Sequence, residues 1–154
     1  MAARVKSCFN VNILEQFVVV FMKTNVVTIK QKVIILASPD EVYEALVDPK
    51  KHSEFTGAKA TGKAKVDGKF TAWDGYSFGK YLAIEKGKRI LQEWQTTDWP
   101  EGYPPSKLEL TLQETPKGTE LTMIHSDVPA EQDKELADGW IEYYWNPLKA
   151  YFKK

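Results

Sequence analysis

Residues 128–152, VPAEQDKELADGWIEYYWNPLKAYF, restrict the fold of this chain more than any other stretch. Pro129 is a residue that a first helical turn tolerates. Glu131, Asp133 and Glu135 load the early turns with acid, which suits the positive end of a helix. Leu136, Trp140, Tyr144, Leu148 and Phe152 then recur every four residues, and Ala137, Ile141 and Trp145 widen the same face. The spacing predicts one long helix with a broad aromatic side. Pro147 removes one backbone hydrogen bond, so a kink is expected near Tyr143 to Trp145. So much aromatic area needs cover, and everything upstream reads as short strands and turns.

The upstream order is regular. Residues 24–36 read as a strand, with Val26, Thr28, Val33, Ile34 and Ile35 β-branched. Ser38-Pro39-Asp40-Glu41 starts a helix: an N-cap, a proline at the first position and a glutamate three residues after the serine. Asp48-Pro49 stops it, a second short helical piece follows over 49–55, and Gly57 ends that. The pattern then changes to period two over 58–66, 69–73, 76–85, 89–97, 106–114 and 119–126. Asp67-Gly68 and Asp74-Gly75 are hairpin signals, and a stiff aromatic loop fills 99–105. The fold class expected is α+β: a curved antiparallel sheet of about seven strands gripping one long C-terminal helix, with two short helices after the first strand.

Residues 22–154 form a single domain on this reading, with 1–21 as an extension dispensable for folding. Arg4 and Lys6 precede a partly apolar run, but Asn10, Asn12, Glu15 and Gln16 interrupt it. The uninterrupted piece, residues 17–22, is far short of the roughly 20 residues of a membrane span. Met22 reads as an alternative start. The charge balance is even, 21 Lys+Arg against 21 Asp+Glu, so nothing draws the chain as a whole to nucleic acid or anionic lipid. One cysteine, Cys8, and two histidines, His52 and His125, predict no internal disulfide, no metal site and no cofactor, in a reducing, cytoplasmic setting.

Candidate site residues follow from strand parity. His125 shares the helix-facing side with Leu121 and Met123. It reads either as a polar group in a ligand cavity or as a core histidine bonded to backbone or to a neighbour such as Tyr144. Gln92 and Trp94 share a parity with Ile90, and Tyr81 with Gly79, where a missing side chain leaves room for a ligand or an approaching helix. Trp140 and Tyr144 face the sheet from the helix, as core or as cavity lining. Trp99 and Tyr103 lie in the aromatic loop, either at a cavity rim or partner surface or tucked against the body. No carboxylate pair, phosphate loop or nucleophile with partners stands out, so no catalytic residue is assigned.

The residues Ala45-Leu46-Val47-Asp48-Pro49, Gly68-Lys69-Phe70, Gly79-Lys80-Tyr81, Trp94 with Asp98-Trp99-Pro100-Glu101-Gly102, Gly118-Thr119-Glu120-Leu121-Thr122, Val128-Pro129-Ala130-Glu131 and Gly139-Trp140 with Pro147 form an ordered series. In order and spacing it resembles the START-like helix-grip (SRPBCC) superfamily. Within that superfamily it is most similar to the C-terminal domain of the activator of heat-shock-protein-90 ATPase family. The resemblance covers residues 28–152. It implies the helix-grip fold and a hydrophobic ligand or a chaperone as partner. Members of that family carry a further N-terminal domain with an asparagine- and tryptophan-rich motif, which residues 1–25 do not contain.

The leading expectation is a non-enzymatic domain that binds a hydrophobic small molecule or apolar protein segment between the sheet and the C-terminal helix. Trp94, His125, Trp140, Tyr144, Tyr81, Gln92 and Met123 would line that cavity. The alternatives are a co-chaperone-like regulator of the heat-shock-protein-90 ATPase and a small-molecule cyclase or hydratase using His125 in the same pocket.

Overall fold

Seven strands form one antiparallel sheet in the order β1-β7-β6-β5-β4-β3-β2 in the computed structural model, which describes residues 25–153. The extension assigned to residues 1–21 lies outside the described residues. The strands are β1 (Val26–Ile35), β2 (Thr61–Gly62), β3 (Lys69–Ala72), β4 (Ser77–Glu85), β5 (Arg89–Thr96), β6 (Ser106–Thr115) and β7 (Gly118–Pro129). Every neighbour from β2 to β7 is joined in chain order, and β1 closes the far edge by pairing with β7.

Two short helices, α1 (Pro39–Val47) and α2 (Pro49–Thr56), follow β1. The predicted capping box holds α1: the Glu41 N–H donates to Ser38 Oγ at 3.2 Å, and the Ser38 N–H donates to Glu41 Oε1 at 3.1 Å. Asp48 ends α1 and caps α2 through its carboxylate and the Lys51 N–H. The buried side of α1 is Val42, Tyr43, Ala45, Leu46 and Val47, and Phe55 is its counterpart on α2.

The strand expected over 58–66 shrinks to Thr61–Gly62. Residues 63–67 are all exposed. They therefore have no buried face to hold them in register, and Val66, at 54% exposure, points outward.

The C-terminal helix, α3, is α-helical over Asp133–Trp140, turns as a π-helix over Ile141–Trp145, and continues as α-helix over Asn146–Phe152. The expected kink therefore takes the form of a π turn, with the Asn146 N–H donating to the Ile141 carbonyl. A proline at 147 has no N–H to continue the α pattern, which favours the change at this point. The π turn lets two consecutive aromatic residues, Tyr144 and Trp145, both be buried. Gln31 of β1 ties α3 to the sheet: its Nε2 donates to the Ala137 carbonyl at 2.8 Å, and its Oε1 accepts from Trp145 Nε1 at 2.7 Å. Leu148, Leu121, Met123, Ile90 and Val42 are nearly or fully inaccessible to solvent, and they place the core between the sheet and the three helices.

Candidate functional site

The inner faces of the sheet and α3 meet in an aromatic wall. Trp94 on β5 stands 5.6 Å from Trp140, and Trp140 stands 4.6 Å from Tyr144, centroid to centroid. Trp145 stacks on the far side of Trp140 at 5.5 Å. The register explains the sheet half. Tyr81 lies opposite Gln92, Gln92 opposite Leu108, and Leu108 opposite His125, so one row crosses β4, β5, β6 and β7. Trp94 opposes Ser106 in the next row.

His125 sits behind this wall in a closed hydrogen-bond chain. Trp140 Nε1 donates to His125 Nδ1 at 3.1 Å. The proton is then on Nε2, which donates to Ser106 Oγ at 2.7 Å, and the Ser106 hydroxyl donates to the Trp94 carbonyl at 2.6 Å. Both ring nitrogens are engaged, and the residue is wholly buried. Burial pushes its pKa down to about 3, so the ring stays neutral.

Two spaces flank the wall. The inner one, of about 40 Å³, lies between the sheet, α2 and α3 and is lined by Tyr81, Gln92, Phe70, Leu110 and His52, among others. That volume holds about one to three waters and no drug-sized ligand. Its polar rim is incomplete. His52 Nδ1 meets the Leu46 carbonyl at 3.0 Å, while His52 Nε2 is buried with no hydrogen-bond partner. Burial lowers the His52 pKa, partly opposed by the Leu46 bond. Burial also raises the Tyr81 hydroxyl, with Tyr43 and Tyr144 adding to it. The same cause holds Tyr144 at about 12, against the lowering effect of bonds from Ser77 and Trp73.

The outer space is an open groove of about 380 Å³ lined by Trp73, Tyr76, Ser77, Trp94, Leu136, Gly139, Trp140, Tyr143 and Tyr144. Its far wall is built by an unusual turn. Trp73, Asp74 and Gly75 all have left-handed backbones, at φ +53, +57 and +93. A left-handed backbone at a bulky residue such as tryptophan costs about 1–3 kcal/mol. It sets Trp73 edge-on to Tyr143 at 5.8 Å and to Tyr144 at 6.1 Å. Tyr76 is held by Asp98: its hydroxyl donates to Asp98 Oδ1 at 2.9 Å, and Thr96 donates to the same oxygen at 2.7 Å. These bonds keep the Asp98 carboxyl below its ordinary value. Gly139 lies on the helix side. A Cβ there would meet only the Tyr143 ring, at 3.8 Å, so packing does not require a glycine that costs a helix interior about 1 kcal/mol.

The residues singled out from sequence divide between these places. Trp94, Trp140 and Tyr144 line both spaces, and Tyr81 and Gln92 line the inner one. His125 and Met123 are buried and border neither. Room at Gly79 is taken by the sheet itself, since a Cβ there would strike the Glu93 carbonyl. Trp99 packs edge-on against Trp94 at 5.9 Å and donates from Nε1 to the Pro104 carbonyl at 3.0 Å. Tyr103 reaches the Asn25 carbonyl at 3.4 Å. Neither borders the groove. Trp73, Tyr76, Leu136, Gly139 and Tyr143 on the outer side, and His52 on the inner, were not anticipated. Only Asp74-Gly75 marked the outer turn in the sequence. Among the described residues, no group of three or more His, Cys, Asp or Glu is placed to hold a metal, and no helix is long and apolar enough to cross a membrane.

Comparison with known proteins gives a consistent picture. The family described as "Activator of Hsp90 ATPase homolog 1-like protein" matches residues 36–153. The human "Activator of 90 kDa heat shock protein ATPase homolog 1" is 32% identical over 126 residues, which cover 82% of this chain and 36% of that protein. The chain thus spans little more than a third of that relative's length. Among solved structures, an HSP90 activator from Plasmodium falciparum superposes with a TM-score of 0.70 at 21% identity, covering 81% of this chain and 94% of the other. The Aha1 dimer from Colwellia psychrerythraea has a TM-score of 0.70 at 18% identity, covering 82% and 97%. At these identities the two structures bear on the fold alone.

Proposed function

We propose that this chain, which belongs to the family of Activator of Hsp90 ATPase homolog 1-like proteins, binds a 90 kDa heat shock protein and regulates its ATPase. The observation that carries the reading is the match over residues 36–153, joined by 32% identity to the human activator across 82% of this chain. The interior supports a binding role over a chemical one. His125, the residue that the sequence offers for acid–base work, has both nitrogens engaged and faces neither space. The experiment is to titrate the protein into a purified 90 kDa heat shock protein while following ATP turnover and complex formation. A saturable change in turnover with a matching binding curve supports the reading. No binding and no change in turnover overturns it.

An apolar small molecule is a second reading, and the groove volume favours it. About 380 Å³ falls within the range of small-molecule sites, whereas the inner cavity does not. Such a ligand would lie outside the Trp94–Trp140–Tyr144 wall and not between it and the sheet.

A further inference from the structure

The groove beside α3 combines an apolar floor with an acidic surround. Among the described residues, no lysine or arginine lines it. Asp74 sits in the turn that carries Trp73, and Asp98 holds the Tyr76 hydroxyl. Glu135 precedes Leu136 and is close enough to Tyr76 to act on its hydroxyl electrostatically. Asp138 and Glu142 flank Gly139 and Tyr143, and all five carboxylates are exposed. Two nearby lysines are already engaged: Lys134 pairs with Asp138 at 3.5 Å, and the Lys59 backbone N–H bonds Asp74. Around an apolar cleft, such a field favours a cationic partner and disfavours an acidic one.

Two further features mark the groove as built. Trp73 and Asp74 hold left-handed backbones to form its wall. Gly139 forgoes helix stability at a point where the fold has room for a side chain. A glycine that costs helix stability yet serves no packing is expected where a surface is kept for a partner, and the strained turn fixes the Trp73 ring that walls that surface.

We infer that this groove docks a partner protein segment with an aliphatic or aromatic anchor flanked by Lys or Arg. The anchor fills the cleft over Gly139 against Trp73, Trp140 and Tyr143, and the basic residues meet Asp98, Glu135 and Glu142. The inference rests on the chaperone reading only for which protein supplies the segment.

The test is selection of a random displayed peptide library on the full chain, followed by fluorescence anisotropy with the selected peptides. The expected peptides share an apolar anchor beside Lys or Arg. Replacing those basic residues by Glu weakens binding by about tenfold or more, as does raising the salt. Gly139→Leu, which fills the cleft, weakens it by a similar factor with no loss of thermal stability, and Tyr143→Ser does so from an exposed position. Failure to enrich any peptide, enrichment of acidic peptides, or undiminished binding to both variants overturns the inference. So does a wild-type dimer in sedimentation that Gly139→Leu dissociates, because the occupant is then a second copy of this chain. The chaperone titration repeated with Gly139→Leu separates the two proposals. Peptide binding without chaperone binding removes the chaperone reading alone. Equal chaperone binding by wild type and variant removes the groove inference alone.

Discussion

The two sides of the Trp94–Trp140–Tyr144 wall solve opposite problems. On the inner side, polar groups are consumed. Trp140, His125, Ser106 and the Trp94 carbonyl form a chain in which every donor has an acceptor, and the space left over is water-sized. On the outer side, apolar rings are left partly open, and backbone strain and a helical glycine maintain the opening. The same three residues serve both, so the wall transmits no ambiguity about direction: it closes the core inward and offers a surface outward. A small domain that places binding on its outside can keep the space between sheet and helix nearly filled.

The comparison breaks most completely if the wall is removed. Trp140→Ala deletes a buried indole and orphans His125 Nδ1. It should cost about 3–5 kcal/mol and merge the two spaces, read as a drop in the urea midpoint together with new binding of a hydrophobic dye. His125→Leu attacks the inner side alone. It leaves the Trp140 N–H and the Ser106 hydroxyl short of a partner, for about 2–3 kcal/mol at neutral pH, with the groove intact.

Acid should sharpen the same point. In the unfolded chain His125 takes up a proton near pH 6.5, but in the folded protein only near 3. Between those values the unfolded state binds more protons. Stability is therefore greatest above pH 6.5 and falls as the pH drops, by up to about 1.4 kcal/mol per unit. His52, also lowered by burial, acts in the same direction. Denaturation midpoints between pH 6.5 and 5, above the range where the lowered Glu41 and Asp98 carboxyls add to it, should show the slope, and His125→Leu should flatten it to the part that His52 supplies. A wild type with no slope would mean that the ring is not held neutral. The smallest effect lies on the outer side. Gly139→Ala should stabilise by about 0.5–1 kcal/mol, because its Cβ meets only the Tyr143 ring; a loss of melting temperature would show that the glycine serves packing after all.

The fold was legible because it depends on periodicity. The four-residue spacing from Leu136 to Phe152, the Ser38-to-Glu41 capping box and the alternation around Leu108, Leu110 and Leu112 each report local geometry directly. Where alternation lacked a buried face, over residues 63–67, the strand was over-extended. Parity also placed Gln92, Trp94, Met123 and His125 on the inward side. Parity cannot say whether an inward residue meets a space or another residue. The groove was illegible for a different reason. It depends on the backbone of Trp73, which reads as the end of a strand but turns left-handed, so that four residues and not two separate β3 from β4. His52 was illegible because its orphaned nitrogen is a property of how α2 packs, not of its neighbours in sequence.

The π turn in α3 also fixes the phase of the chain's end. An α-helix advances about 100° per residue. Tightening Ile141–Trp145 into α-helix with no residue removed would rotate everything after it by about that angle. Leu148 would leave the core, and Trp145 would lose its bond to Gln31. The two halves of α3 are thus set one residue out of step with each other. The extra residue works as a clutch plate between them, joining a forward half that faces the groove to a rear half that is keyed to β1.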